Sequence, residues 1–331
     1  MLIVKGPELN IDQLYYKGLL LDRASDLRKS SEWLDQQWDH SDCQILLLQN
    51  DKNLIHWDDA QAPVAIYHLR QSIKALTNDS GKVVFLGLNG SIPLFAAEVE
   101  SNIEACFEGQ ETVNRDNSEF INIRELGCLL NAHDAALLAY ARGLLFWNRN
   151  SLFCIRCGTA TVQKQGGHAK HCSNDSCGYV NFPRTDPAVI MLIEDSSNPN
   201  QRRCLLGRNA KFPNRMMSTL AGFVDPSESL EETVAREAFE EAGIRVNKVT
   251  YQTSQPWPFP SSIMLGFRAQ ATTTDITIDG FEIEEAGWFT VEQLDSFGEW
   301  DDDCDDYCLP RHDSIARYLI ESWKSDVRNK K

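Results

Sequence analysis

The chain has 331 residues, of which 42% are hydrophobic, and this is enough for the cores of two or three domains. Its formal net charge of −16 argues against a general nucleic-acid or anionic-membrane surface, although a local basic pocket for phosphates remains compatible with it. No apolar run approaches the roughly 18 residues of a membrane-spanning helix. The start, MLIVKGPELN, lacks the apolar core of a signal peptide, so a cytoplasmic protein is expected.

Residues 1 to about 125 alternate apolar runs with polar turns, which predicts a small α/β or mostly β domain. Strands are predicted at 44–48, 82–86 and 93–97. This region contains no recognisable catalytic motif. Arg23 could bind an anion or pair with a neighbouring aspartate, and the structural role is favoured. A helix with an apolar stripe is then expected to begin after Asn131 and reach about residue 148.

Two cysteine pairs follow this helix, Cys154 with Cys157 and Cys172 with Cys177. A glycine comes directly after each pair, which is typical of a tight turn that aims two thiolates at one point. Four thiolates in tetrahedral arrangement favour zinc, and four protein ligands leave no open position, so a structural zinc is predicted. His168 and His171 lie between the pairs and could displace a cysteine ligand, but the four matched cysteines favour an all-sulfur site.

A new pattern begins near Pro187 and predicts a further α/β domain. Strands are expected at 188–193, 203–208, 218–222, 248–253, 262–271 and 285–289, and a final helix is expected at about 313–323. Residues 228–242 are rich in Glu, Ala and Leu without Pro or Gly, which predicts a helix. Ser227 or Ser229 could cap its start, and Gly243 stands where a C-terminal glycine belongs.

Three carboxylates, Glu237, Glu240 and Glu241, stand at i, i+3 and i+4 of this predicted helix and therefore share one face. Such carboxylates repel one another unless a cation neutralises them, and hard oxygen ligands suit Mg²⁺ or Mn²⁺. The alternative is a solvated acidic helix face, which is common on acidic proteins. Spacing alone does not decide between these two interpretations.

The longer spacing pattern is more specific. Gly222, five residues, Glu228, seven residues, Arg236-Glu237, and then Glu240-Glu241 before Gly243 and an aliphatic residue form a fixed motif. This motif resembles the Nudix box, whose enzymes use divalent ions to cleave nucleoside diphosphates linked to another group. Ser227 stands where relatives often have glycine, so a positive φ there would strain the loop. Arg236 is expected to pair with a box glutamate, such as Glu240, and to orient it.

A proline-aromatic segment follows the box and is predicted to be a stiff extended strip outside the sheet interior, with aromatic faces for stacking on a base or nicotinamide. It could instead be a loop whose aromatics cover the core. We call this segment the substrate strip; it comprises Gln255, Pro256, Trp257, Pro258, Phe259, Pro260, Ser261 and Ser262. The strip, together with the zinc pattern, is similar to the NADH pyrophosphatase subgroup of Nudix hydrolases.

The resemblance implies an overall α/β architecture with three domains. These are an N-terminal α/β domain at 1–150, a small zinc ribbon at 151–183, and a Nudix α/β/α sandwich with a mixed sheet at 184–331. It also implies hydrolysis of NADH or NAD⁺ to nicotinamide mononucleotide and AMP, a homodimer, and a possible second substrate in NAD-capped RNA.

The resemblance further assigns residues. Metal ligands for Mg²⁺ or Mn²⁺ would be Glu237, Glu241, Glu282 and the Ala221 carbonyl, with Glu240 as an additional catalytic carboxylate. Substrate contacts would come from the strip, from Phe182 by stacking, and from the backbone of Ala316. The zinc ligands would be the four cysteines.

Two alternatives stay open at this stage. The first is removal of NAD caps from RNA by the same chemistry, which the negative charge disfavours because long RNA needs a basic track. The second is a catalytically silent nucleotide-binding regulator that uses the ribbon as an interaction module. Three clustered glutamates favour the enzyme over the silent regulator, and Glu241→Gln would separate these two interpretations.

Overall fold

The computed structural model describes residues 14–70, 82–100, 117–126, 129–209, 211, 215–278, 280–300 and 306–329. The chain divides into two compact units. The first unit contains Tyr16–Thr185 together with Trp257–Ser261, and the second contains Asp186–Pro256, Ser262–Lys331 and the short segment that ends at Tyr15. The predicted absence of a signal peptide concerns residues 1–13, which lie outside the described residues.

The first unit is built on a seven-stranded sheet with one parallel pair among antiparallel ones. Its strands are β1 (Gln44–Gln49), β2 (Lys52–Trp57), β3 (Pro63–Ala65), β4 (His68–Leu69), β5 (Val83–Asn89), β6 (Ile92–Glu98) and β7 (Ser118–Ile121). The order β3-β2-β1-β6-β5 places the apolar runs β1, β5 and β6 side by side, and β4 and β7 pair with β1 and β2. The three strands predicted in this region are confirmed.

Helices pack with this sheet. They are α1 (Ser31–Trp38), α2 (Ile123–Leu126) and α3 (Ala132–Asn150). The predicted cap of α3 is confirmed, because the Asn131 side chain accepts a hydrogen bond from the backbone N–H of Asp134. The apolar residues of α3 are buried, including Leu137, Leu138 and Leu145. Arg23 stacks on the ring of Tyr140, with its guanidinium carbon 3.5 Å from the ring centroid.

A three-stranded antiparallel sheet completes the first unit. It consists of β8 (Thr161–Lys164), β9 (Ala169–Cys172) and β10 (Val180–Asn181), in the order β10-β9-β8. A short 3₁₀ helix, Gln165–Gly167, joins the first two strands. Such a small sheet cannot bury a core of its own, so its order depends on other support.

The second unit is an α/β/α sandwich around a six-stranded mixed sheet. The strands are β11 (Asp186–Asp195), β12 (Arg203–Asn209), β13 (Leu220–Phe223), β14 (Val246–Trp257), β15 (Ser262–Ala271) and β16 (Ile283–Thr290). The order is β14-β15-β11-β12-β16, and β13 pairs with β11. The pair β11–β15 is parallel, whereas β11–β12, β11–β13 and β12–β16 are antiparallel.

The helices of this unit are α4 (Leu230–Ala242), α5 (Val291–Leu294) and α6 (Ile315–Asn329). Side chains of β11 alternate between two cores. Val189 and Met191 join the cluster that contains Val234 and Ala238 of α4, whereas Ile190 and Leu192 join the cluster of α6. A strand that is buried on both faces reads as a continuous apolar run, which explains the sequence AVIMLI.

Every strand and helix predicted in this half is present, although several run further than predicted. The largest difference concerns the substrate strip. Strand β14 continues through Trp257, so the first part of the strip is strand and not an isolated extended segment. Pro256 fits because β14 stands at the end of the strand order, where a missing N–H costs no ladder hydrogen bond. Among the helices of the described residues, none has the length and apolar character needed to cross a membrane.

Candidate metal and substrate sites

The acidic helix α4 begins and ends as the sequence predicts. Ser229 accepts a hydrogen bond from the backbone N–H of Glu232, and the Glu232 side chain accepts one from the Ser229 backbone N–H, which forms a capping box. Gly243 ends the helix in the left-handed conformation at φ 69°. Ser227 has φ 75°, so the strain predicted for a serine at this position is present.

The Glu237 carboxylate lies directly against the backbone at Gly222. A Cβ added at Gly222 would stand 1.9 Å from the Glu237 carboxyl carbon and 1.9 Å from its Oε1. Only glycine therefore admits this carboxylate next to strand β13, where the neighbouring Ala221 pairs with Ile190 of β11. The glycine that opens the motif thus fixes the position of the glutamate fifteen residues later.

The three helix carboxylates differ in exposure. Glu241 is 5% exposed, whereas the side chain of Glu237 is 12% exposed and that of Glu240 is 58% exposed. Burial raises the pKa of Glu237; Arg236 opposes this rise, and the nearby charges of Glu240 and Glu282 add to it. Glu282, from the segment before β16, therefore lies close enough to Glu237 for their charges to interact.

Arg236 binds more carboxylates than the sequence predicts. Its Nε and Nη2 donate to the two oxygens of Glu228 at 2.6 and 2.9 Å, which is a bidentate pair. Its Nη1 donates to Glu237 at 2.8 Å and to Glu240 at 2.9 Å, so the expected pair with Glu240 is present. Its Nη2 also donates to the carbonyl of Phe223 at 2.9 Å. Glu228 is also a glutamate of the motif, so this pair agrees with the prediction that Arg236 binds a box glutamate, although Glu228 was not singled out.

The four cysteines come together. Their sulfur atoms all lie within 4.8 Å of one another, with Cys154 3.8 Å from Cys177 and Cys157 3.5 Å from Cys172. In the described part of the chain this is the only group of three or more His, Cys, Asp or Glu ligands that gathers so closely. The carboxylates of α4 and Glu282 do not gather to that degree. Like charges repel one another, and two of these carboxylates accept hydrogen bonds from Arg236.

The turns beside the cysteines explain why their sulfur atoms meet. Gly158 has φ 73° and Gly178 has φ 58°, as expected for the glycine that relieves each turn. The Gly158 backbone N–H donates to the Cys154 carbonyl at 2.8 Å. His168 is not part of the cluster, because its Nε2 lies 2.9 Å from the Phe85 carbonyl and 3.2 Å from the Tyr140 hydroxyl. Four sulfur donors, which leave no coordination position open, fit a tetrahedral zinc ion.

The second half of the substrate strip belongs to the first unit and forms a small aromatic cluster there. The Trp257 and Phe259 rings meet edge-on at 5.2 Å, and Tyr16 meets the two rings edge-on at 6.0 and 5.5 Å. Trp257 and Phe259 stay partly exposed. The sequence alone could not identify Tyr16 as their neighbour, because no local pattern links it to the strip.

Gln255, the first residue of the strip, is completely buried. Its amide nitrogen donates to the carbonyls of Tyr15 at 3.2 Å and Asp313 at 2.7 Å. Its amide oxygen accepts the backbone N–H of Ile315 at 2.9 Å, which is the first residue of α6. The Gln255 side chain thus holds the start of α6, and a direct substrate contact from this amide stays a prediction.

Two further candidate residues lie apart from the strip in sequence. Phe182 is 53% exposed in the first unit, immediately after β10, so its ring can present a face to a ligand. Ala316 is buried in the first turn of α6 in the second unit. Backbone N–H groups of a first helical turn have no partner within the helix, which suits an anionic group.

Sequence comparisons identify three known domain types along the chain. The family model "NUDIX domain" matches residues 184–308. The model "NADH pyrophosphatase-like rudimentary NUDIX domain" matches residues 41–147, and "NADH pyrophosphatase zinc ribbon domain" matches residues 149–181. The matched segments follow one another in the order expected for the subgroup.

Curated relatives agree with these matches. The human protein named "NAD-capped RNA hydrolase NUDT12" is 34% identical over 341 aligned positions, which cover 93% of this chain and 73% of that protein. "NAD-capped RNA hydrolase NudC" of Mycobacterium bovis is 39% identical over 211 positions, covering 62% of this chain and 66% of that protein. "Nudix hydrolase 19, chloroplastic" of Arabidopsis thaliana is 46% identical over 166 positions, covering 49% of this chain and 37% of that protein.

Proposed function

The chain belongs to the Nudix hydrolase family and, within it, to the NADH pyrophosphatase-like group, and on this premise we propose that it is a metal-dependent NAD(H) diphosphatase. Water adds to the diphosphate of NADH or NAD⁺, one P–O–P bond breaks, and the products are nicotinamide mononucleotide, reduced when NADH is the substrate, and AMP. The observation that carries this proposal is the seating of the Glu237 carboxylate against Gly222, beside the other carboxylates of α4.

We assign the metal-holding residues from this arrangement. Glu237, Glu241, Glu282 and the Ala221 carbonyl would hold Mg²⁺ or Mn²⁺, because hard oxygen donors suit these ions. The chemistry that such ions supply is neutralisation of the diphosphate charge and activation of a water molecule. Arg236 orients Glu237 and Glu240 through Nη1, and its bidentate pair with Glu228 fixes the guanidinium itself. A carboxylate of this group takes the proton of the attacking water.

Substrate recognition is assigned to three surfaces. The aromatic rings of the strip offer flat faces for nicotinamide or adenine, and Phe182 offers another. The backbone N–H of Ala316, in the first turn of α6, would offer a donor for a phosphate. The cysteine cluster holds a structural Zn²⁺, because four protein thiolates fill its coordination.

Removal of NAD caps from RNA is the second candidate function. It is supported by the names of the human and mycobacterial relatives, which are called NAD-capped RNA hydrolases. The reacting diphosphate is the same in both substrates, so the carboxylate site serves either one. We also propose a homodimer in the cytoplasm and keep the boundaries 1–150, 151–183 and 184–331 for the three domains.

The test is turnover of NADH, NAD⁺, ADP-ribose and diadenosine polyphosphate, each with Mg²⁺ and with Mn²⁺, and with products identified by mass. Preference for NADH or NAD⁺, with AMP and the matching nicotinamide mononucleotide as products, supports the proposal. Equal rates on all four substrates would contradict dinucleotide selection. Absence of turnover on all four, but cleavage of NAD-capped RNA, would favour the second candidate.

A further inference from the structure

We propose that Arg142 of α3 is a positioning residue that shapes the substrate strip, and that the strip thereby selects for the nicotinamide ring. The segment concerned, Trp257–Ser261, is called the aromatic turn below; it belongs to the first unit. The substrate part of this inference rests on the proposed diphosphatase function. The claim that Arg142 positions the strip does not rest on that function, and a separate experiment tests it.

The contacts of Arg142 carry the inference. The residue is 6% exposed, and its Nη1 donates a hydrogen bond to the Pro258 carbonyl. Its guanidinium carbon also lies 5.1 Å from the centre of the Phe259 ring. A single planar cation therefore contacts both the backbone and an aromatic side chain of the turn, which a flexible ammonium cannot do in the same way.

The aromatic turn needs such an external donor. Three of the residues from Pro256 to Pro260 are prolines, which have no backbone N–H. Within the turn, the Phe259 N–H donates to the Trp257 carbonyl at 2.7 Å. Because the segment has so few backbone N–H donors, its carbonyls cannot be held by a regular ladder of backbone hydrogen bonds. Arg142 supplies the hydrogen bond to the Pro258 carbonyl.

A second layer of charges holds Arg142 in place. Asp51 lies 3.8 Å from its Nη2, and Arg149 donates to the other oxygen of Asp51 at 2.8 Å. Arg149 also donates to Glu98, so Asp51 and Glu98 share that second arginine. Burial lowers the pKa of Arg142, and the charge of Asp51 opposes this change. The buried cation is thus paired, as a buried charge requires.

Helix α3 also approaches the turn closely at the next residue. A Cβ added at Gly143 would stand 3.3 Å from the Cβ of Pro258. Glycine inside a helix is less favourable than alanine. The close approach of Pro258 explains why a glycine stands at this position of the helix. Tyr16, which is 3% exposed, meets both rings of the aromatic turn edge-on.

The consequence concerns selectivity. Trp257 and Phe259 stay partly exposed, while Arg142 lies over the Phe259 ring and Tyr16 meets both rings edge-on. A preorganised aromatic surface binds a flat ring without the cost of ordering itself on binding. The proposed carboxylate site concerns the diphosphate, which every candidate substrate shares. Loss of Arg142 should therefore affect substrates that carry nicotinamide more than ADP-ribose, which lacks it.

The first experiment compares Arg142→Met with Asn148→Leu in the full-length chain. Asn148 is an equally buried polar residue of α3, and its amide donates to Leu144 and Gly167 and not to the strip. For Arg142→Met, kcat/KM for NADH should fall about tenfold through KM. For ADP-ribose, which has the same diphosphate without nicotinamide, it should change less than about twofold. Asn148→Leu should leave the ratio of kcat/KM for NADH to kcat/KM for ADP-ribose unchanged.

The rescue variant sharpens the result. Arg142→Lys keeps the charge but loses the planar contact with Phe259, so it should restore only part of the NADH preference. An equal fall on NADH and ADP-ribose in Arg142→Met would overturn the selectivity claim, because it would indicate a general structural role. No change on either substrate would overturn it as well.

The second experiment does not depend on turnover. Chains labelled with 5-fluorotryptophan give a ¹⁹F signal for Trp257, which Trp257→Phe identifies. Arg142→Met should shift or broaden this signal, and Asn148→Leu should not. An unchanged Trp257 signal would overturn the inference whatever the substrate proves to be. If wild type cleaves neither NADH nor ADP-ribose, the proposed function fails, but a shifted Trp257 signal still supports positioning by Arg142.

Discussion

Two regions of this molecule have side chains suited to metal ions, and they are built in opposite ways. The cysteine cluster is complete, with four sulfur atoms within 4.8 Å. The carboxylates of α4 range from buried to exposed, and two of them form ion pairs with Arg236. Closure separates the structural site from the proposed reactive one: four thiolates leave no position for a substrate, whereas the proposed carboxylate site would leave positions for phosphate oxygens and water.

The largest effect that would sharpen this comparison is expected from Glu241→Gln. The change replaces a buried carboxyl group by an amide of the same size. We expect kcat for NADH to fall about 100-fold or more, with nucleotide binding retained. Glu231→Gln, at an exposed position in the first turn of the same helix, is the matched control. Full activity in Glu241→Gln would contradict the reactive role of this region.

Cys157→Ser should break the closed site. A hydroxyl is a poor zinc ligand, so the zinc content should fall from one ion per chain to nearly none. Without the metal, β8 and β9 lose their support, and amide exchange across Thr161–Cys172 should become much faster. Cys43→Ala, at a buried cysteine outside the cluster, should keep its zinc. Retention of one zinc per chain in Cys157→Ser would contradict the four-sulfur assignment.

Gly222→Ala should have a smaller, geometric effect. The added methyl would overlap Glu237, which must then move away from β13. A displacement of this kind should lower kcat/KM for NADH by about 10- to 100-fold. Gly287→Ala is a control for crowding, because its added Cβ would meet the ring of Phe289 at 2.9 Å and no candidate metal ligand. Equal losses in the two variants would argue against a special position for Glu237.

The smallest effect concerns pH and the pair Glu228–Arg236. Hydrogen bonds from Arg236 hold the pKa of Glu228 at about 2, below its ordinary value of 4.5. A carboxylate with a lowered folded pKa contributes stability that is complete above pH 4.5 and is lost as the pH falls towards 2. The Tm difference between wild type and Glu228→Gln should therefore be largest near neutral pH and shrink below about pH 5. A difference that stays constant with pH would contradict this assignment.

Local patterns in the sequence predicted much of both regions. The capping box at Ser229, the helix end at Gly243 and the turns at Gly158 and Gly178 depend on residues a few positions apart, so spacing reveals them. The buried strand β11 was recognisable as an apolar run for the same reason.

Contacts that join distant parts of the chain were not predictable in this way. Arg142 and the Pro258 carbonyl are 116 positions apart, and Gln255 bonds a carbonyl 240 positions away. The burial of Gln255 was not predictable, because an exposed polar residue and a buried one look alike in sequence. Strand β14 ran further than expected because an edge position tolerates Pro256, and sheet order is a tertiary property.

The most direct test of the two-site account is metal exchange in the wild-type chain. The protein is dialysed against EDTA at neutral pH, its zinc content is measured, and NADH turnover is followed before and after addition of Mg²⁺ or Mn²⁺. The account predicts that one zinc per chain remains, that activity is lost, and that Mg²⁺ or Mn²⁺ alone restores it. Activity that survives dialysis, or that returns only with added zinc, would contradict the division into a closed structural site and an open reactive one.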